Sequence, residues 1–281
     1  MNLFLTPSTQ HLTLGIDGAR GKYISKTFSD GEKYVRVEEE IKGKVWVIAN
    51  TNPPADNLLE LFFLLDALQR LSNDIHLLIP YFAYARQDKI TQRGEPLSAK
   101  VICDFLRHFP LKKIIVVHIH SKRIKEYLVY ENLLPLHLVS SIVGQMDIVA
   151  APDKGGIPFA TMVGREHGLP VVYVEKRRLT DKKVEVTSLS GEVRGKRVMI
   201  VDDMITTGST ITKATEKLMD EGAEEVHVYA THGIFSEDAR EKLEKSPVKH
   251  IYVTNSLPQK ADGKIKVIDI SNSLQEVINR E

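Results

Sequence analysis

Two aspartates side by side at the end of an apolar run, followed at once by hydroxyls and a glycine, are the most chemically loaded feature of the chain. The segment is V-D-D-M-I-T-T-G-S-T, residues 201–210. Residues 197–201 before it read as a strand, and a helix starts near Ser209. Backbone amides at a helix start, with the hydroxyls of Thr206, Thr207, Ser209 and Thr210 around Gly208, make a pocket for an anion. Asp202 and Asp203 just upstream suit sugar hydroxyls, a metal ion or a developing oxocarbenium charge. A phosphate at one end and a polyol at the other describe a sugar phosphate. The competing explanation, a helix N-cap with two solvated acids, uses the same residue types.

Four other segments carry a concentration of functional groups. Residues 80–89, P-Y-F-A-Y-A-R-Q-D-K, follow an apolar strand and offer Tyr81, Phe82 and Tyr84 as an aromatic wall. Gln87 can read a base edge there, and Arg86 and Lys89 are cations for phosphate, a set that suits a nucleotide. Aromatics that cover the core are the alternative. Residues 28–32, F-S-D-G-E, give Phe28 to stack on a base and Asp30 and Glu32 to accept from an amine, although Ser-Asp-Gly alone is an ordinary turn. Residues 151–156, A-P-D-K-G-G, end a strand with Asp153 and two glycines that let a backbone approach a ligand. Residues 175–178, E-K-R-R, crowd Lys176, Arg177 and Arg178 at a strand end, either as a solvated cluster or as charge for a phosphoryl group in transit. His118 and His120 stand two apart, so in a strand they share one face. A zinc site would want a third ligand that the spacing does not supply.

These segments need rigid elements behind them. Strand-like stretches at 44–50, 76–81, 113–118, 147–151, 171–175, 197–201, 225–231 and 266–270 alternate with helix-like stretches at 56–71, 97–109, 158–167, 210–221 and 271–279. Strands separated by helices of that length predict parallel βαβ units, whose ligands sit at the carboxyl ends of strands. The counting restarts near residue 141, which predicts two domains, 1–141 and 142–281. The charges balance at 38 Lys plus Arg against 37 Asp plus Glu, so no bulk attraction to nucleic acid or to an anionic membrane is expected. One cysteine, Cys103, excludes an intrachain disulfide and multi-Cys metal sites. No apolar run approaches the roughly 18–20 residues of a membrane helix, and the first residues lack signal-peptide order. A cytoplasmic protein is expected. Neither G-x-G-x-x-G, G-x-x-x-x-G-K-[ST] nor G-x-S-x-G occurs, so ATP use would have to rest on the segments above.

Taken in chain order, 28–32, 80–89, 151–156, 175–178 and 201–210 resemble the signatures of the ribose-phosphate diphosphokinase (phosphoribosyl pyrophosphate synthetase) family. The last is similar to the phosphoribosyl-diphosphate loop of the type I phosphoribosyltransferase fold. The resemblance implies an α/β fold of two similar type I phosphoribosyltransferase-like domains, each a mainly parallel sheet flanked by helices. The first would be the ATP side and the second the ribose 5-phosphate side. It implies transfer of the β,γ-diphosphoryl group of Mg-ATP to the 1-hydroxyl of ribose 5-phosphate, giving phosphoribosyl diphosphate and AMP.

The resemblance also implies roles. Arg86, Gln87 and Lys89 hold ATP, and Phe28, Asp30 and Glu32 reach the adenine of a neighbouring subunit's ATP, which requires a homo-oligomer of at least two chains. Lys176 and Arg178 are catalytic, at the start of a polar loop over 179–190. Asp202, Asp203 and Thr206, Thr207, Gly208, Ser209, Thr210 bind ribose 5-phosphate. His120 and Asp153 belong to the Mg²⁺ sites. Three positions depart from the family's pattern: His118 stands where an acid is usual, Thr206 where an acid or Ser is usual, and Ser209 where Gly is usual. Ser209 is unstrained only if its φ is negative. Two alternatives remain, a non-catalytic relative that regulates a true synthetase, and a phosphoribosyltransferase acting on a base. The second would leave 28–32 and 80–89 unexplained.

Overall fold

The computed structural model describes residues 1–178 and 185–281. The chain divides into two compact units. The first comprises Met1–Leu134, Ser256–Pro258 and Ser271–Glu281, and the second Pro135–Asn255 and Gln259–Ile270.

In the first unit the elements are β1 (Asn2–Leu5), β2 (Ala19–Arg20), β3 (Tyr23–Thr27), β4 (Lys33–Val37), β5 (Val45–Ile48), α1 (Asp56–Gln69), β6 (Ile75–Ile79), α2 (Ser98–Arg107), β7 (Lys113–Val117) and β8 (Glu131–Leu133). Among the described residues, the sheet has the order β2-β1-β5-β6-β7-β8, and its pairings are parallel. The strands are almost continuous β-branched and leucine runs because helices and loops cover both faces. β5 is buried throughout. Leu58, Leu61, Leu65 and Leu68 line the buried side of α1, as their spacing predicts. Cys103 is a free thiol buried in α2, pushed up to about 12 by burial, and so packs as a small hydrophobe.

The second unit holds α3 (Leu136–Val143), β9 (Ile148–Ala151), α4 (Ile157–His167), β10 (Val171–Arg178), β11 (Glu185–Leu189), β12 (Arg197–Ile205), α5 (Ser209–Asp220), β13 (Glu225–Gly233), α6 (Ala239–Lys245), β14 (Ile251–Thr254) and β15 (Ile265–Ile268). Among the described residues, the sheet order is β11-β10-β9-β12-β13-β14-β15, parallel except for the β10–β11 pair. The expected α/β architecture of two mainly parallel sheets flanked by helices is what the chain forms. The last helix, α7 (Ser271–Arg280), lies in the first unit. A cut at residue 141 does not anticipate that return, because strand–helix counting cannot say which sheet a terminal helix covers.

Of the loop expected over 179–190, residues 179–184 lie outside the described residues, and Glu185–Leu189 is a strand. No helix of the described residues is long and apolar enough to cross a membrane.

The β3–β4 pair was not visible in the sequence pattern. It is a two-stranded antiparallel hairpin, apart from the main sheet; Tyr23, Val35 and Val37 pack against the core of the first unit, and one buried acid adds polar contacts. Glu60 on α1 accepts a hydrogen bond from the Tyr23 hydroxyl at 2.9 Å and lies 3.7 Å from the Lys33 ammonium. Burial, and then the charge of Glu60, push the Tyr23 phenol far above its ordinary range, so it stays a donor at all working pH values. Glu60→Ala should therefore lower stability by about 1.5–3 kcal/mol, the range for a charge-assisted hydrogen bond. Tyr23→Phe should cost less, since Lys33 remains beside the acid. Urea unfolding of both variants checks this, and a Glu60→Ala midpoint equal to wild type would show that the hairpin is anchored elsewhere.

Candidate functional site

In the second unit the chain leaves β9 toward β10 on one side and leaves β12 toward β13 on the other. The point between β9 and β12 is thus where the winding reverses, and in open parallel sheets ligands bind beyond the carboxyl ends of the strands that flank such a point. The loops that follow those strands are 152–156 and 206–208, two of the segments singled out from sequence.

β12 runs on past the acidic pair, with Asp202 opposite Ala230 and Ile205 opposite Gly233. The pair therefore sits on rigid strand, where sequence reading ended the strand at residue 201. Asp202 Oδ1 accepts from the Asp203 amide at 2.9 Å. Burial, then the charge of Asp203, with a further contribution from Asp153, hold the Asp202 carboxyl well above the usual aspartate range. Both neighbouring acids thus oppose ionisation of Asp202. Relief comes from whatever brings positive charge or hydroxyl donors.

Asp153 Oδ1 accepts from the amides of Gly155 at 2.8 Å and Gly156 at 3.3 Å, turning the chain into α4. A Cβ on Gly155 would stand 3.1 Å from that oxygen, so the tight turn favours glycine. The next residue, Lys154, pairs with Glu175 at 3.3 Å. Further along β10, the backbones of Lys176 and Arg178 pair with Thr187 and Glu185 of β11, while their side chains lie outside the description.

Beyond Ile205 the loop turns through Gly208, whose φ of 73° favours glycine and whose Cα faces Leu243 of α6. Ser209 opens α5 and is absent from the positive-φ residues, so the serine is unstrained there. Thr207 Oγ1 donates to Ser209 Oγ at 3.4 Å. Sequence reading missed Lys242 of α6. Its ammonium donates to Thr207 O at 3.2 Å and Ser209 Oγ at 3.3 Å, and pairs with Asp238 at 3.2 Å. A lysine in an exposed-looking helix 32 residues beyond the loop leaves no local signal.

In the first unit, the 80–89 loop is fixed by buried polar groups. Asn50 Oδ1 accepts from the Tyr81 amide at 2.7 Å, and Thr51 Oγ1 from the Ala83 amide at 2.7 Å. Tyr81 and Phe82 are buried in the core, which corrects the aromatic wall expected there. Tyr84 remains half-buried with a φ of 65°. Arg86, Gln87 and Lys89 are exposed. The carbonyl of the Gln87 side chain accepts from Ser98 at 2.5 Å, and Asp88 accepts from Ser121 at 2.6 Å. The second bond ties this loop to the loop after β7.

The two histidines do not share a face. β7 ends at Val117, His118 takes a φ of 39° and is buried, and His120 is exposed. Alternation holds only within a strand, and the left-handed residue breaks it. At the hairpin tip Phe28 is 43% exposed, edge-on to Tyr34 at 5.6 Å, with the Lys26 ammonium 4.7 Å from its ring centroid. Asp30 Oδ1 accepts from the Glu32 amide at 3.1 Å, and Asp30 and Glu32 are exposed. Among the described residues, the positive-φ non-glycine residues Tyr84, His118, Phe235 and Glu237 lie in loops at the carboxyl ends of strands, where strain collects at working sites.

Two family models match the chain. The N-terminal domain of ribose phosphate pyrophosphokinase covers residues 10–109, and the phosphoribosyl synthetase-associated domain covers 160–281. A ribose-phosphate pyrophosphokinase from Aquifex aeolicus is 38% identical over 266 residues, 90% of this chain and 86% of the relative. One from Mycoplasma genitalium is 34% identical over 277 residues, 92% of this chain and 83% of the relative. The crystal structure of phosphoribosylpyrophosphate synthetase from Mycobacterium smegmatis superposes with a TM-score of 0.89 at 28% identity, covering 99% of this chain and 97% of that one. Similarity that runs through both units at this level reflects common descent, and the chain belongs to the ribose-phosphate pyrophosphokinase family.

Proposed function

We propose that this protein transfers the β,γ-diphosphoryl group of Mg-ATP to the 1-hydroxyl of ribose 5-phosphate, forming phosphoribosyl diphosphate and AMP. The observation that carries the reading is the acidic pair on β12 running directly into a hydroxyl-rich loop and helix start at the switch point. Asp202 and Asp203 accept from ribose hydroxyls. Thr206, Thr207, Gly208, Ser209 and Thr210 receive the 5-phosphate at the positive end of α5. Arg86, Gln87 and Lys89 hold ATP. Lys176 and Arg178, with Arg86, neutralise the charge of the migrating group, which is most of what a protein can supply to phosphoryl transfer.

The residues present fit a hard divalent cation. Asp202, Asp203 and Asp153 are oxygen donors whose mutual repulsion a cation relieves. Among the described residues no three His, Cys, Asp or Glu side chains converge as a complete cage. An ion here would therefore take most of its ligands from substrate phosphates and water, as Mg²⁺ ordinarily does. Mg²⁺ would be held by Asp153 and, on the ATP side, by His120, and when bound it would neutralise phosphate charge. Phe28, Asp30 and Glu32 serve the ATP of a second chain, so the working form is a homo-oligomer. The balanced charge and the buried Cys103 suit a cytoplasmic enzyme with no nucleic-acid or membrane partner.

Purified protein with ATP, Mg²⁺ and ribose 5-phosphate should release AMP in step with phosphoribosyl diphosphate, and none without the sugar phosphate. ADP as the main product would sink the proposal, since it would mean attack at the γ- rather than the β-phosphorus.

Lys176→Ala should lower kcat by roughly 10²–10⁴ with modest change in KM, as for a lost transition-state donor. Mixing it with Phe28→Ala chains should restore part of the activity through hybrid sites. No recovery despite verified subunit exchange would argue against a site shared between chains.

The raised proton affinity of Asp202 has a sign that can be measured. The folded protein holds this proton to a higher pH than the unfolded chain does, so stability falls as pH rises through the folded value. Asp202→Asn removes that cost. The ligand-free variant should melt a few degrees higher than wild type at pH 8 while losing AMP formation by at least about 100-fold. A lower melting point with AMP formation intact would remove Asp202 from the site.

A further inference from the structure

The back of the phosphate loop is held in an unusual way. Ile205 O accepts from the amides of Ile234 at 2.9 Å and Phe235 at 3.2 Å. Thr206 O accepts from the amide of Ser236 at 3.0 Å, and Thr207 O from the Lys242 ammonium at 3.2 Å. Three consecutive carbonyls are thus engaged by one turn, 234–236, and one lysine from the helix that follows it.

In a trans peptide the C=O and the next N–H point in opposite directions. Engaging the carbonyls of 205, 206 and 207 from the α6 side therefore aims the N–H groups of Thr206, Thr207 and Gly208 away from α6. Successive amides turned to one side form an anion-binding concavity. The ammonium also polarises the peptide between Thr207 and Gly208 in the sense that favours an anion at its N–H end.

The turn is strained to do this. Phe235 and Glu237 have φ values of 48° and 56°, and the Arg240 guanidinium lies 4.7 Å from the Phe235 ring centroid. Asp238 pairs with Lys242 at 3.2 Å. Ser209 Oγ accepts from both Lys242 and Thr207, so the serine joins the lysine to the front of the loop.

We infer that the 234–238 turn and Lys242 form a brace that sets the phosphate loop in its anion-accepting form. Lys242 is a positioning residue for the 5-phosphate of the sugar substrate and acts through Thr207 and Ser209. The inference rests on reading 206–210 as the phosphate site.

The test uses the full chain with Lys242→Met, Lys242→Arg and Ser209→Ala, and measures KM for ribose 5-phosphate and for ATP separately. Lys242→Met should raise KM for ribose 5-phosphate roughly 10- to 100-fold, the equivalent of one charge-assisted hydrogen bond, with KM for ATP and kcat nearly unmoved. Lys242→Arg should recover most of the loss. Inorganic phosphate should raise the melting temperature of wild type and of Lys242→Arg, and raise that of Lys242→Met much less. A general packing defect would move both KM values together and would not respond to arginine; that result overturns the inference. Should Lys242→Met not fold, Ser209→Ala removes one hydroxyl, and an unchanged ribose 5-phosphate KM in that variant also overturns it. A wild-type protein that forms no AMP from ribose 5-phosphate defeats the parent reading instead, whatever the variants do.

Discussion

Keeping Asp202 and Asp203 side by side at the end of a parallel strand is the constraint around which the second unit is arranged. Burial, the charge of Asp203 and the charge of Asp153 all act against ionisation of Asp202. A sheet that wound in one direction only would cover this edge with the next connection. Because β9 leads toward β10 and β12 toward β13, the edge stays open. The fold pays a proton-affinity penalty at Asp202 that a bound polyol or cation would remove, so affinity for such a ligand would be drawn from relief of repulsion as well as from new contacts.

The anion preference we propose for the loop has a different origin. Nothing in the hydroxyls of Thr206, Thr207, Ser209 and Thr210 fixes where their backbone amides point. That direction is imposed from behind, by a strained turn and a lysine. This explains why a serine is tolerated at 209: with α5 beginning there its φ is helical, and its hydroxyl is used by Lys242 rather than left to crowd the ligand.

Sequence alone made the central strands and amphipathic helices readable, because β5, β6 and β12 carry short apolar runs and α1 a helical apolar period, patterns that burial enforces. It also located Asp202, Asp203 and Asp153, since acids and glycines clustered just after an apolar strand are visible as residue types. It failed where the deciding contact is long-range. Tyr81 and Phe82 look like ligand aromatics until Asn50 and Thr51 pull their loop onto the core. The alternation of His118 and His120 holds in a strand that in fact ends one residue earlier. Lys242 and Glu60 are single charged residues in helices, and their partners, Thr207 and Tyr23, lie 35 and 37 positions away.

The two units show that one topology can be left open or sealed. In the first sheet the winding reverses between β1 and β5, since β1 leads to β2 on one side and β5 to β6 on the other. The carboxyl ends of β1 and β5 carry Thr6, Ser8, Thr9, Asn50 and Thr51, all buried. Thr9 Oγ1 donates to Ile48 O at 2.7 Å, the Asn50 amide donates to Ser8 Oγ at 3.0 Å, and Asn50 Nδ2 donates to Ser256 O at 2.8 Å. Neutral donors and acceptors of matched number satisfy one another, so that switch point is a closed polar weld that fixes the neighbouring 80–89 loop. At the second switch point the groups are acids, and the charges of Asp203 and Asp153 oppose ionisation of Asp202. The difference between the structural joint and the binding site we propose at the same place in the two sheets is therefore one of charge and hydrogen-bond complementarity, carried by a few residues after each strand.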